Sequence, residues 1–139
     1  MILHIDSDAS YLSEPPACSR TGGNDYLSSL PADPKKSPNL PSPENGPIHT
    51  ECRILKHVVE SASESEVGGI FQNGQTAVPL RIILHEISFN QPPTPIKTIN
   101  STAEGIVLTT FIQNRYKATD MQFYWMKYRV KETDFFVYW

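Results

Sequence analysis

Four carboxylates in two short segments are the side chains of this sequence best suited to chemistry. Asp6 and Asp8 lie in Ile2-Leu-His-Ile-Asp-Ser-Asp-Ala-Ser-Tyr11, and Glu64 and Glu66 lie in Ser61-Ala-Ser-Glu-Ser-Glu-Val67. The first segment alternates as a strand does, with Leu3 and Ile5 on one face and His4, Asp6 and Asp8 on the other. The second has the look of a helix start, with Ser63 and Glu66 at the spacing of a capping box. A strand that presents Asp beside a helix that presents Glu can hold Mg²⁺ against a phosphodiester, because a hard dication takes oxygen ligands and carboxylates supply them with charge. The same side chains have other uses. Asp6 and Asp8 suit a solvated strand end, and a capping-box Glu66 would reach back to its own N-cap amide.

Such carboxylates need a sheet and a helix to bring them together, and the apolar pattern supplies both. Apolar residues concentrate in 1–12, 52–89 and 104–139, whereas 13–47 offers almost nothing to a core. Strands are expected over 2–8, around Tyr26, Leu27 and Leu30, over 48–61 (one long strand or a pair), over Ile96–Ile99 and over Phe135–Trp139. Ser19-Arg-Thr-Gly-Gly-Asn24 carries a turn signal. A helix is expected over 64–88, weakened at Gly68-Gly69 and kinked at Pro79. A second helix opens at Ser101 with Glu104 as its capping partner, and a third covers 121–131. Strands first, then helix and strand in alternation, predict an α/β layered sheet in a single domain, 1–139. The six prolines from Pro31 to Pro47 remove donors and bury little, so 31–47 is expected to be a disordered insertion loop.

A net charge of −3 argues against a nucleic-acid binder that works by bulk charge, leaving a local basic face open. That face would be Arg115, Lys117, Lys127, Arg129 and Lys131, interleaved with Tyr116, Tyr124, Trp125 and Tyr128. It suits a groove that follows a phosphate backbone, or equally an amphipathic helix with core aromatics and a solvated basic side. His4, His49, His57 and His85 show no metal-ligand spacing, and no motif for a small-molecule cofactor is present. Cys18 and Cys52 are expected as free thiols, and the apolar runs are too short to span a bilayer. Without a leader, the expected location is intracellular, cytoplasmic or nuclear. The chain starts inside a strand, as a piece cut from a longer polypeptide would. Nothing in it sets an oligomeric state.

Taken in order, Ile5-Asp-Ser-Asp-Ala-Ser10, Ser61-Ala-Ser-Glu-Ser-Glu-Val67, Ile96-Lys-Thr-Ile-Asn-Ser-Thr-Ala-Glu-Gly105 and Lys117-Ala-Thr-Asp-Met-Gln-Phe-Tyr-Trp125 resemble the ribonuclease H domain of copia-type retrotransposon polyproteins, which also carry integrase and reverse transcriptase. The resemblance implies a ribonuclease H-like mixed sheet with flanking helices. It also implies cleavage of RNA in RNA–DNA hybrids by two Mg²⁺ ions about 4 Å apart, held by four carboxylates. Carried onto this chain, the first carboxylate is Asp8, or else Asp6, and the second is Glu66, or else Glu64. At the third, the family's Asp is replaced: the segment runs Thr98-Ile99-Asn100, and Ile99 has no oxygen to offer. The fourth would fall beyond Trp139, as though the C-terminal part of the domain were missing. The expectation is therefore a truncated, degenerate domain with Mg²⁺ bound weakly or not at all and hydrolysis lost. Two alternatives stand beside it: a non-catalytic remnant that binds hybrid or duplex, and an open reading frame with no selected function.

Overall fold

A computed structural model describes residues 1–28, 45–56, 58–108 and 117–139, with the side chains of 117–120 outside the description. The elements run β1 (Ile2–Glu14), β2 (Cys18–Ser28), β3 (Pro47–Ile54), α1 (Ala62–Glu86), β4 (Thr94–Thr98), α2 (Ser101–Leu108), α3 (Lys117–Lys131) and β5 (Phe135–Tyr138). Residues 29–44, and with them Leu30 and most of the proline-rich stretch, lie outside the described residues; Pro47 opens β3.

The five strands form one mixed sheet in the order β3-β2-β1-β4-β5. β1, β2 and β3 pair antiparallel, while β1–β4 and β4–β5 are parallel. The expected α/β layered sheet is the architecture found. Alternation along the strands sends Leu3, Ile5, Ile96, Phe135 and Val137 to one face, where they join Val67, Ile70, Ala77 and Leu84 of α1, Ala103 and Val107 of α2 and Met126 of α3 in a single buried cluster. All three helices thus cover the same face. Asp6 and Asp8 belong to the other one, being out of phase with Ser7 and Ala9, which lie beside Gly69 of α1. No helix among the described elements is long and apolar enough to cross a membrane.

Several local expectations change. β1 continues to Glu14, well past residue 8, because β2 starts at Cys18 and its backbone pairs with that extension. The Gly22-Gly23 pair, which has the composition of a turn, lies in mid-strand opposite Asp8 and Ser7. Glycine is needed there because a β-carbon at Gly23 would collide with the Asn73 side chain. Asn73 is buried and donates from Nδ2 to Ser7 Oγ (2.8 Å) and to the Gly22 carbonyl (3.1 Å), pinning α1 to two strands. β3 is one strand, and residues 55–61 lead from it into α1. Pro79 lies within a 25-residue helix that runs through it, held on both sides by buried Ala77 and Leu84. Propensity disfavours proline there, and packing overrides it. Cys18 and Cys52 are free thiols.

Candidate active site

The start of α1 decides which acidic side chain reaches the sheet. Its N-cap is Ser61, two residues before the expected one, whose Oγ accepts from the Glu64 amide at 3.2 Å. Glu64, three residues on, accepts from the Glu60 amide at 2.7 Å, one residue before the cap, instead of from the Ser61 amide that a capping box would use. Glu64 is thus held at the helix start, and Glu66 turns inward to the sheet.

Glu66 is only 3% exposed. Its Oε1 accepts from the Ala9 amide of β1 at 3.3 Å, and its Oε2 accepts from the Thr98 hydroxyl of β4 at 3.4 Å. One carboxylate therefore joins α1 to the two central, parallel strands. Burial pushes its pKa up to about 7, and the nearby Asp8 charge adds to the shift, while the Ala9 N–H and the Thr98 hydroxyl oppose it. Asp8 itself is exposed, and it is the aspartate whose charge acts on Glu66. Asp8 and Glu66 thus lie at the same end of β1, but Asp8 lines the cleft on the other face of the sheet and Glu66 does not.

On the face away from the helices, Asp6, Asp8, Asn24, Lys97 and Ile99 line an open cleft of about 350 Å³. Asp6 stands opposite Asn24 of β2 and opposite Lys97 of β4. Ile99, at the third position, is 63% exposed on the cleft wall. Asn100 does not turn toward the cleft as a neutral ligand, because its Oδ1 caps α2 by accepting from the Thr102 (2.9 Å) and Ala103 (3.3 Å) amides. It is the N-cap of that helix in place of Ser101. Among the described residues, no three His, Cys, Asp or Glu side chains converge where a metal ion could bind.

The basic residues are elsewhere. Arg115 and the side chain of Lys117 lie outside the described residues. α3 packs on α1, with Met126 and Trp125 against Gly74, and so belongs to the helical face rather than the cleft face. Arg129 is committed within the fold: its guanidinium pairs with Asp134 at 2.8 Å and lies 5.2 Å from the Trp125 ring. Lys127 sits over the Phe123 ring at 4.6 Å, and Lys131 is exposed. Of the interleaved aromatics, Trp125 is half-buried, Tyr124 and Tyr128 are 49% and 59% exposed, and Tyr116 lies outside the described residues. Tyr124, Lys127, Tyr128 and Lys131 thus make a stripe along the outer side of α3.

Sequence reasoning missed Thr98, Lys97 and the pair formed by buried Asp25 and His49 (Nδ1 to Oδ2, 3.0 Å). Thr98 and Lys97 had a signal: they directly precede the third position, one on each face of β4. Asp25 and His49 had none, since their register depends on where β2 and β3 begin. Of the other histidines, His4 is buried and stacked on Tyr26, with ring centroids 5.3 Å apart; His85 is exposed, and His57 lies outside the described residues.

No family model matches the sequence, and no curated protein does. Solved structures do match the fold. A ribonuclease H1 from the halophilic archaeon Halobacterium salinarum NRC-1 is similar over 99% of this chain and 81% of its own, with a TM-score of 0.54 and 11% identity. A ribonuclease H1 isolated from compost by a metagenomic approach is similar over 98% and 81%, with a TM-score of 0.60 and 7% identity. A foamy viral protease–reverse transcriptase, solved in complex with dsDNA, is similar over 99% and 78%, with a TM-score of 0.52 and 14% identity.

The fold is ribonuclease H-like. Within it, the ribonuclease H-like sheet places Asp8 on the first strand, Glu66 on the first helix and Ile99 just past the fourth strand, all at one end of the β1–β4 pair.

Proposed function

We propose that this chain is a degenerate ribonuclease H-like domain of copia-type retrotransposon origin, one that has lost hydrolysis of RNA in RNA–DNA hybrids. The observation that carries this reading is Ile99, exposed on the wall of the cleft that also holds Asp8. Two-metal hydrolysis needs enough carboxylate to hold two dications and a phosphate together. Here Asp8 and Glu66 contribute two, Glu66 keeps its proton to near neutrality, Ile99 contributes none, and Asn100 is spent as a helix cap. Mg²⁺ tolerates little departure from octahedral oxygen geometry, so these residues do not fit a two-ion centre. No hydrolytic step is assigned to them. Mg²⁺ belongs to the ancestry of the site, and the copia origin rests on the four ordered segments that resemble that family.

Nucleic acid as the partner class is supported by two of the similar structures: the compost ribonuclease H1 was also solved with an RNA/DNA hybrid, and the foamy viral protein with dsDNA. A second reading, a non-catalytic nucleic-acid binder, is favoured by the stripe of exposed Tyr124, Tyr128 and Lys131 with half-buried Lys127, which combines cations for phosphates with aromatic faces for bases or sugars.

A cleavage assay on an RNA–DNA hybrid with Mg²⁺ or Mn²⁺ tests the first reading. The chain is expected to leave the hybrid intact. Cleavage by the unaltered chain, abolished by Asp8→Asn, would falsify it. A gel shift at two salt concentrations tests the second: salt-sensitive binding that weakens in a Lys127→Glu/Lys131→Glu variant supports it, and no binding at low salt rules it out.

A further inference from the structure

The cleft that holds Asp6 and Asp8 contains a cation of its own. Lys97 lies directly opposite Asp6 in the parallel β1–β4 pair, and both line the cleft. Side chains repeat on one face every second residue, so Asp6 and Asp8 of β1 and Lys97 and Ile99 of the β4 end form a square on the same face. One corner is the ammonium, two are carboxylates, and the fourth is the isoleucine. From the corner opposite Asp6, the flexible four-carbon stem of Lys97 lets its ammonium sweep over Asp6 and, along the diagonal, toward Asp8.

We infer that Lys97 is the resident cation of this cleft, neutralising Asp6 and Asp8 in place of a divalent ion and excluding metal from it. The inference rests on the proposed loss of the two-ion centre and gives it a cause beyond the missing carboxylate. A dication entering beside Asp8 would lie across the diagonal from Lys97, roughly 7–8 Å away. Even at the dielectric constant of water, repulsion between charges of +2 and +1 at that distance weakens binding by about sixfold. Replacing Ile99 by Asp therefore restores a ligand without removing the competitor. Two changes on β4, not one, separate this chain from a metal-binding cleft.

The test is titration with Mn²⁺ alone, followed by the electron paramagnetic resonance signal of the free ion, on the unaltered chain and on Ile99→Asp, Lys97→Met, Ile99→Asp/Lys97→Met and Ile99→Asp/Lys97→Arg. Lys97 is exposed, so these variants should fold, and a cooperative melt of each checks that. Ile99→Asp/Lys97→Met is expected to bind Mn²⁺ about sixfold more tightly than Ile99→Asp. Ile99→Asp/Lys97→Arg should bind as weakly as Ile99→Asp, since charge and not shape is the barrier. The inference is overturned if the Lys97→Met double variant binds no better than Ile99→Asp, or if the Arg variant binds as well as the Met one. Loss of hybrid cleavage is read in a separate assay, so failure there would leave the Mn²⁺ result to stand or fall independently.

Discussion

Substitution of Glu66 by Gln should reverse the sign of its effect on stability between acid and alkaline pH. The folded-state pKa is raised from an ordinary value near 4.5 to about 7. In that interval the folded chain keeps a proton that the unfolded chain releases, so stability is fully present below about pH 4.5 and is lost as pH rises through 7. A shift of that size corresponds to about 3 kcal/mol. Gln has the same shape and carries no charge, so Glu66→Gln removes the pH-dependent loss. Its Oε1 can still accept from the Ala9 amide, and exchanging the Thr98 contact costs at most about 1 kcal/mol. Urea unfolding at pH 4 should therefore show the variant equal to the unaltered chain or less stable by up to about 1 kcal/mol. At pH 8 it should be more stable by about 2 kcal/mol, a midpoint shift near 1 M at a typical urea slope. Asp25, raised to about 6 mainly by burial, titrates in both chains and cancels in the difference. A stability difference that stays flat with pH, or that grows more unfavourable at pH 8, would refute the claim that the site desolvates Glu66.

Asp25→Asn should likewise raise stability above pH 6, by up to about 3 kcal/mol, with the gain vanishing below pH 4; the same urea series reads it. Gly23→Ala drives a β-carbon into Asn73 and should cost about 2–3 kcal/mol in thermal unfolding, whereas Gly22→Ala, which meets nothing closer than 3.7 Å, should cost under about 1. Asp134→Ala removes partners of Arg129 and Arg81 whose side chains are about a third exposed or less, and should lower stability by about 1 kcal/mol, less at high salt. Adding 10 mM Mg²⁺ should leave the melting temperature of the unaltered chain within about 2 °C, because a site with a dissociation constant of about 10 mM gains only about 0.4 kcal/mol.

How much of this was legible in the sequence depends on whether a feature is local or borrowed. Leu3, Ile5, Ile96, Phe135 and Val137 announce their strands by alternation, and the spacing of Val67, Ile70 and Leu84 announces α1, so the layered α/β sheet was readable. The nearness of Asp8 and Glu66 in the fold, both beside Ala9 of β1, was suggested only through a family resemblance. The extension of β1 to Glu14 was not, because its polar residues are ordered by hydrogen bonds from Cys18–Arg20 rather than by burial. The glycines misled in the same way. Gly23 and Gly69 look like breakers, yet each marks a close approach of α1 to the sheet: Asn73 fills the space over the first, and Thr21 and Ser7 lie over the second. The caps slipped by one or two residues because Ser61 and Ser63, or Asn100 and Ser101, are chemically alike, and only the entering backbone direction chooses between them.

The survival of Glu66 then has a physical explanation that needs no hydrolysis. A buried carboxylate next to the charge of Asp8 destabilises the folded chain at neutral pH unless a cation or a proton offsets it. In an active two-ion centre the metal supplies that offset. Under the proposed loss of the two-ion centre, the offset left to Glu66 is its own proton, together with the Ala9 amide and the Thr98 hydroxyl. Those two bonds tie α1 to both central strands, and truncating the side chain would leave an amide and a hydroxyl without their acceptor in the core. Truncation therefore costs the fold where Gln does not. On the proposed reading, an exposed ligand position such as Ile99 is lost first, and the buried carboxylate that is part of the structure is kept.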